Sequence, residues 1–183
     1  PILTGYTCGD LFFSDVLLDA ALQGLKDIAE FTEGIKTLIF VGLPFKDGNG
    51  RIYNVAAGIS NGKILGLVPK TFIPNYNEFY EKRYFNRLYD TNTMADLGGG
   101  IVVPFGTDVV FCDDINKDFK VCVEICEDLW AANPPSVYHA VRGGATIIAN
   151  LSCSDETVGK AEYRRNLLRI HSAKLNCGYV YAD

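Results

Sequence analysis

Val121 to Trp130 reads VCVEICEDLW: β-branched and apolar residues run up to a cysteine, and two acids, a leucine and the only tryptophan follow. Such a run reads as a buried strand. It delivers the thiol of Cys126 to the strand's carboxyl end, where α/β folds place their chemistry. A cysteine there can be a nucleophile, a metal ligand or a small hydrophobe in the core. As a nucleophile it needs its thiolate favoured by a cation or a helix start. The backbone N–H of Glu127, directly after the strand-to-turn elbow, is suited to donate to an oxyanion.

The candidate cation is Lys70, in VPKTFIPNYNEFYEKRYF. The plain alternative is a surface lysine at a strand end. Tyr76, Glu78, Phe79, Glu81 and Arg83 follow closely, and an aromatic, charged loop suits the rim of a small-molecule pocket. It suits a solvated, salt-bridged connection equally well. A third segment, NLSCSDETVGKAEYRR over residues 150–165, puts small hydroxyl residues at a strand end before Gly159-Lys160 opens a helix. That is either a polar binding edge or helix capping by Asp155 or Thr157. His139 and His171 both fall inside predicted helices, which disfavours a Cys–His dyad of the protease type. Cys122 and Cys126 are separated by three residues, not the two of a zinc knuckle, and no second pair has metal spacing, so no zinc site is expected.

The elements that must position these residues follow from the pattern. PILTGYTCGDLFF reads as a strand end running into a glycine-containing loop. Ser14-Asp15 starts a helix with Val16, Leu17, Ala20, Ala21, Leu25 and Ile28 as its stripe. Strands are predicted over 37–43, 53–60 and 63–68, with a turn over 46–50 and Asn61-Gly62 as a hairpin turn. Residues 86–100 have no period and end in three glycines, which predicts a loop or mobile segment. Further strands are predicted over 109–112, 119–126, 146–151 and 178–182, and helices over 135–142 and 160–176. The mixture of hairpins and βα units gives an α/β or α+β sheet fold with helices on a sheet face.

With 183 residues and 48% hydrophobic content, the chain can bury one sizeable core, and a single domain is the default. No apolar run has the length of a membrane span, and no signal-peptide pattern opens the chain. A net charge of −5 argues against nucleic acid or an anionic membrane as partner. Six cysteines in an ordinary α/β pattern point to a reduced, cytoplasmic protein and not a disulfide framework. Pro1 begins inside what reads as a strand end and Asp183 follows an apolar strand at once, so a piece of a longer protein is expected.

Taken together, LTGYTCGDLF, LVPKTFIPNYNEFYEKRYF, VCVEICEDLW and ANLSCSDETVGKAEYRR resemble the amidohydrolase domain of the glutamine-dependent NAD synthetases, within the nitrilase or carbon–nitrogen hydrolase superfamily. The resemblance covers nearly the whole chain, in order. It implies a nitrilase-type four-layer α-β-β-α sandwich, incomplete at both ends, with residues 1–183 forming part of a glutamine amidase domain and the synthetase domain absent. It implies chemistry by a Glu-Lys-Cys triad. Cys126 attacks the side-chain amide of glutamine, ammonia leaves as a glutamyl thioester forms, and water releases glutamate. Lys70 and the Glu127 amide stabilise the oxyanion, Tyr76, Ser154 and Lys160 bind glutamine, and Glu78 or Glu81 orients Lys70. The family's base glutamate lies four residues before the threonine of LTGY; that threonine is Thr4 here, so the base falls just before Pro1. Loss of such a base costs about 10²–10⁴-fold, so impaired turnover by this stretch alone is expected.

The resemblance also implies partners. These are glutamine, the synthetase domain that amidates an adenylated nicotinate dinucleotide with the ammonia, and further copies in a homo-oligomer. No cofactor is implied for the amidase half, whereas ATP and magnesium belong to the synthetase half. The competing readings are a stand-alone amidase or carbamoylase of the same superfamily, and a non-catalytic scaffold of the same fold.

Overall fold

Asn61 and Gly62 both take left-handed φ, 49° and 78°, which is what a two-residue turn needs to match the twist of the strands it joins. The computed structural model describes residues 1–89 and 93–183, and this turn joins β2 (Ile52–Ser60) to β3 (Lys63–Pro69). Upstream, β1 (Ile39–Lys46) pairs antiparallel with β2. Asp47 closes the turn between them, its Oδ1 accepting from the N–H groups of Asn49 and Arg51 at 2.9 and 2.8 Å. β4 (Thr93–Asp96) and β5 (Val102–Phe105) complete a five-stranded sheet in the order β1-β2-β3-β5-β4, with β5 parallel to β3. The weak alternation of β2 has a simple cause: it is a central strand, buried from Ile52 to Ile59.

This sheet belongs to the first of two compact units, Pro1–Val109 and Val110–Asp183. In the first unit, α1 (Asp15–Phe31) buries Leu18, Ala21, Leu25 and Ala29. The last three pack with Leu43, Val55, Ile59 and Leu67 of the sheet. The buried stripe is therefore rotated from the predicted one, and Val16 is 80% exposed. At helical spacing Val16 shares its face with Ala20, Gln23 and Asp27, two of them polar, and that face turns to solvent.

Two other expectations are corrected. The opening residues form no strand. Ile2 and Leu3 both donate to the Gly42 carbonyl, and Gly9–Phe13 is a 3-10 turn. Within 86–100, Thr93–Asp96 is a strand, pairing antiparallel with β5, and the glycines make the turn between the two. A four-residue edge strand is too short to show a period in sequence. Asp90, Thr91 and Asn92 lie outside the described residues. The short α2 (Glu81–Tyr84) completes the elements of this unit that bear on the site.

The second unit is a four-stranded sheet in the order β6-β7-β8-β9: β6 (Phe111–Cys112), β7 (Lys120–Ile125), β8 (Ile147–Leu151) and β9 (Gly178–Ala182). β6 is antiparallel to β7, and the other pairs are parallel. Parallel neighbours need crossover connections. α3 (Pro135–Tyr138), extended by a π turn over His139–Gly143, supplies the first, and α4 (Lys160–Leu175) supplies the second. Pro135 opens α3 where its missing N–H costs nothing. On one face of this sheet Cys122 and Ile148 pack with Ala145 and Cys177. Two residues further along the same face stand Glu124 and Asn150, so the face turns from apolar to polar toward the carboxyl ends of the strands.

Candidate active site

In the first unit, Lys70 directly follows β3, and its N–H donates to the Asn54 carbonyl at 2.8 Å. Its side chain is 1% exposed and Nζ donates to Oε1 of Glu81, itself 3% exposed at the start of α2. Glu81 also accepts from Tyr6 Oη at 2.8 Å and from Asn54 Nδ2 at 3.5 Å. A buried ion pair persists when its remaining hydrogen-bonding capacity is satisfied in this way. Arg83, two residues on, grips Asp10 through Nε–Oδ1 at 2.7 Å and Nη2–Oδ2 at 2.9 Å. That bond holds the Asp10 carboxyl below its ordinary value of 3.8 and raises Arg83. Residues 6 to 10 thus brace the helical turn that carries Glu81.

Lys70 is thus buried and not a surface lysine at a strand end. Glu81 is the partner of Lys70, while Glu78 is exposed. Tyr76 is 49% exposed and meets Phe79 edge to face at 5.7 Å. Phe79 in turn meets Tyr6 at 6.5 Å.

In the second unit, β7 ends and Cys126 takes φ of +48°. A side chain with a Cβ enters that region at a cost, and such turns cluster at reactive residues. Two contacts hold the turn. The Cys126 N–H donates to Asn150 Oδ1 at 3.2 Å, and the Ile125 N–H donates to Asp128 Oδ2 at 2.9 Å. Cys126 begins a 3-10 turn to Trp130, and both it and Glu127 are half-buried. This is a strand-to-turn elbow that places Cys126 at the carboxyl end of a strand in a mixed sheet.

The segment after β8 carries an ion pair of this unit. Lys160 forms an ion pair with Asp155, and its Nζ lies 5.6 Å from the centre of the Trp130 ring. Trp130 stacks on Tyr163 at 5.6 Å with an 8° interplanar angle. The Ser154 N–H donates to Asp183 Oδ1 at 2.7 Å. The N-cap position itself falls on neither Asp155 nor Thr157. Gly159 is the N-cap at φ of +85°, and Thr157 accepts the Lys160 N–H through its carbonyl.

A carbon-nitrogen hydrolase family profile matches residues 2–182. The chain belongs to the carbon–nitrogen hydrolase family. A glutamine-dependent NAD(+) synthetase of Mycobacterium tuberculosis (strain ATCC 25618 / H37Rv) is 41% identical to this family member over 180 residues, covering 98% of this chain and 26% of the relative. That of Thermotoga maritima is 30% identical over 181 residues, covering 99% and 28%. The crystal structure of a glutamine-dependent NAD(+) synthetase from Cytophaga hutchinsonii superposes with a TM-score of 0.83 at 33% identity, covering 98% of this chain and 28% of that one. This chain therefore spans about a quarter of the length of the curated relatives it matches. A Nesterenkonia amidase of the nitrilase superfamily, at 16% identity and a TM-score of 0.67, shares the fold, covering 97% of this chain and 58% of that one. The mixed α/β class, with two sheets and few helices, is that of the nitrilase superfamily.

Sequence reasoning missed several residues of this carbon–nitrogen hydrolase that surround the elbow. Asn150 holds the Cys126 N–H, and Glu124, one residue before Ile125, is 1% exposed. A glutamate inside an otherwise apolar strand was the available signal, since buried carboxylates persist only when satisfied. His171 is buried with Nε2 2.7 Å from Ser136 Oγ, a contact within the second unit that periodicity does not reveal. The described residues form no disulfide. Among the described residues no group of three or more His, Cys, Asp or Glu side chains is arranged to hold a metal ion. No helix there is long and apolar enough to cross a membrane.

Proposed function

We propose that this chain hydrolyses the side-chain amide of glutamine through a Cys126 thioester and supplies ammonia for NAD synthesis. The observation that carries the reading is the elbow at Cys126 in a chain 41% identical to a glutamine-dependent NAD(+) synthetase over 98% of its length. The Cys126 thiolate attacks the amide carbon, and the electron pair moves to the carbonyl oxygen. The Lys70 ammonium and the Glu127 N–H stabilise that oxyanion. The amide nitrogen takes up the proton that left the thiol, and collapse then expels ammonia and leaves the glutamyl thioester. Water then releases glutamate and the thiol.

Glu81 orients Lys70, and its buried pairing with that amine supports the role. Tyr76, Ser154 and Lys160 contact glutamine, with Lys160 meeting the substrate carboxylate. The ammonia passes to a synthetase domain that uses ATP and magnesium to amidate an adenylated nicotinate dinucleotide, in a homo-oligomer. The amidase chemistry itself calls on no metal or organic cofactor.

The test is ammonia and glutamate release from glutamine by the full-length protein beside its Cys126→Ala variant. Release by the parent that vanishes in the variant, with ammonia-driven NAD synthesis retained, is the expected result. Release that persists in the variant overturns the assignment. Turnover of a different amide in place of glutamine moves the reading to a stand-alone amidase.

A further inference from the structure

Behind the Cys126 elbow lies a chain of hydrogen bonds that the thioester chemistry does not use. The Cys126 N–H donates to Asn150 Oδ1 at 3.2 Å, and Ser152 Oγ donates to the same oxygen at 2.8 Å. A backbone N–H only donates, so the amide oxygen of Asn150 must face the elbow and its NH₂ must face away. There Nδ2 donates to Tyr179 Oη at 3.1 Å. The phenol, having accepted, donates its hydrogen to Glu124 Oε1. Glu124 Oε2 accepts the Ser136 N–H at 3.1 Å, and Ser136 Oγ meets His171 Nε2 at 2.7 Å.

The three central residues stand on adjacent parallel strands, β7, β8 and β9, on one face of the sheet. Glu124 and Asn150 are each 1% exposed. From the Cys126 N–H to Glu124 the direction of each bond follows from the Asn150 orientation. It ends at the backbone of the nucleophile.

We propose that Tyr179 and Glu124 are positioning residues for Cys126, acting through Asn150 to hold the left-handed elbow in which the thiol is presented; the inference rests on the thioester reading above. A residue at positive φ returns to ordinary backbone unless its surroundings over-determine it. Asn150 supplies that constraint at the N–H of Cys126. Its own amide plane is set by Tyr179, and the Tyr179 hydroxyl is set by Glu124. Removing the hydroxyl frees Asn150 to rotate, and a nucleophile displaced by a fraction of an ångström loses its approach to the carbonyl.

The experiment is a double-mutant cycle in the full-length protein, with Tyr179→Phe, Asn150→Ala and the pair. The readout is kcat and KM for glutamine, normalised to the Cys126 thiol that iodoacetamide alkylates, located by peptide mass. Each single change is expected to lower kcat about 10- to 100-fold with KM nearly unchanged. The pair is expected to lose no more than Asn150→Ala alone, because Tyr179 acts only through Asn150. Asn150→Asp keeps the acceptor for Cys126 but not the donor to Tyr179, and its kcat should fall with that of Tyr179→Phe.

Additive losses, or a Tyr179→Phe enzyme with parental kcat beside an inert Cys126→Ala enzyme, overturn the positioning role alone. Hydrolysis that persists in Cys126→Ala overturns the thioester reading and this inference with it. A role in stability only would lower the melting temperature while leaving kcat per alkylated thiol intact, and that result also overturns the proposal.

Discussion

Lys70 and Glu81 form an ion pair from which solvent is almost entirely excluded, joining the end of β3 to the first residue of α2. Two charges of opposite sign in such a place hold each other, and removing one strands the other.

Lys70→Met is therefore expected to destabilise the protein by about 3–5 kcal/mol, the cost of an uncompensated buried charge. Lys70→Met with Glu81→Gln should recover much of that loss while glutamine hydrolysis stays absent. Urea denaturation and ammonia release read the two properties separately. Stability that the second change fails to restore would remove the ion pair as the cause.

Cys126 occupies φ of +48°, where a Cβ is strained and glycine is not. Cys126→Gly should be more stable than Cys126→Ala by about 1 kcal/mol, although neither hydrolyses glutamine. Denaturation midpoints of the two inactive proteins decide this. An alanine variant as stable as the glycine variant would show that the elbow relaxes without its thiol.

His171 is held below its ordinary value of 6.5 by burial, the dominant influence, partly opposed by the negative charge of Glu124. As pH falls through 6.5 the unfolded chain takes up the proton before the folded one does. The contribution is thus intact above that pH and is lost progressively below it. The urea midpoint should fall between about pH 7.5 and pH 5.5, and less steeply in a His171→Gln variant. Parallel curves would assign the acid sensitivity to other groups.

Lys160 sits over Trp130 and is paired with Asp155. If it meets the substrate carboxylate, Lys160→Met should raise KM for glutamine about 10- to 100-fold, the worth of a charge-assisted hydrogen bond, with little change in kcat. Steady-state kinetics with glutamine provide the check. A fall in kcat at constant KM would place Lys160 in the chemical step instead.

Short-range pattern alone determined a good deal about this protein. The Asn61-Gly62 turn, the βα units of the second half, the strand over Gly178–Ala182 and the thiol at the end of β7 were all readable. Each depends on neighbours within a few residues, through φ preference or period-2 alternation. The motifs around Cys126, Lys70 and Lys160 carried the family resemblance for the same reason. Tertiary structure alone decided which acid meets Lys70, which stripe of α1 turns inward, and that Thr93–Asp96 pairs with β5. It also brought Glu124, Asn150 and Tyr179 into one hydrogen-bonded chain from three strands. Contacts between residues far apart in sequence leave no periodic trace, and a buried polar side chain becomes intelligible only when the partner that satisfies it is in place.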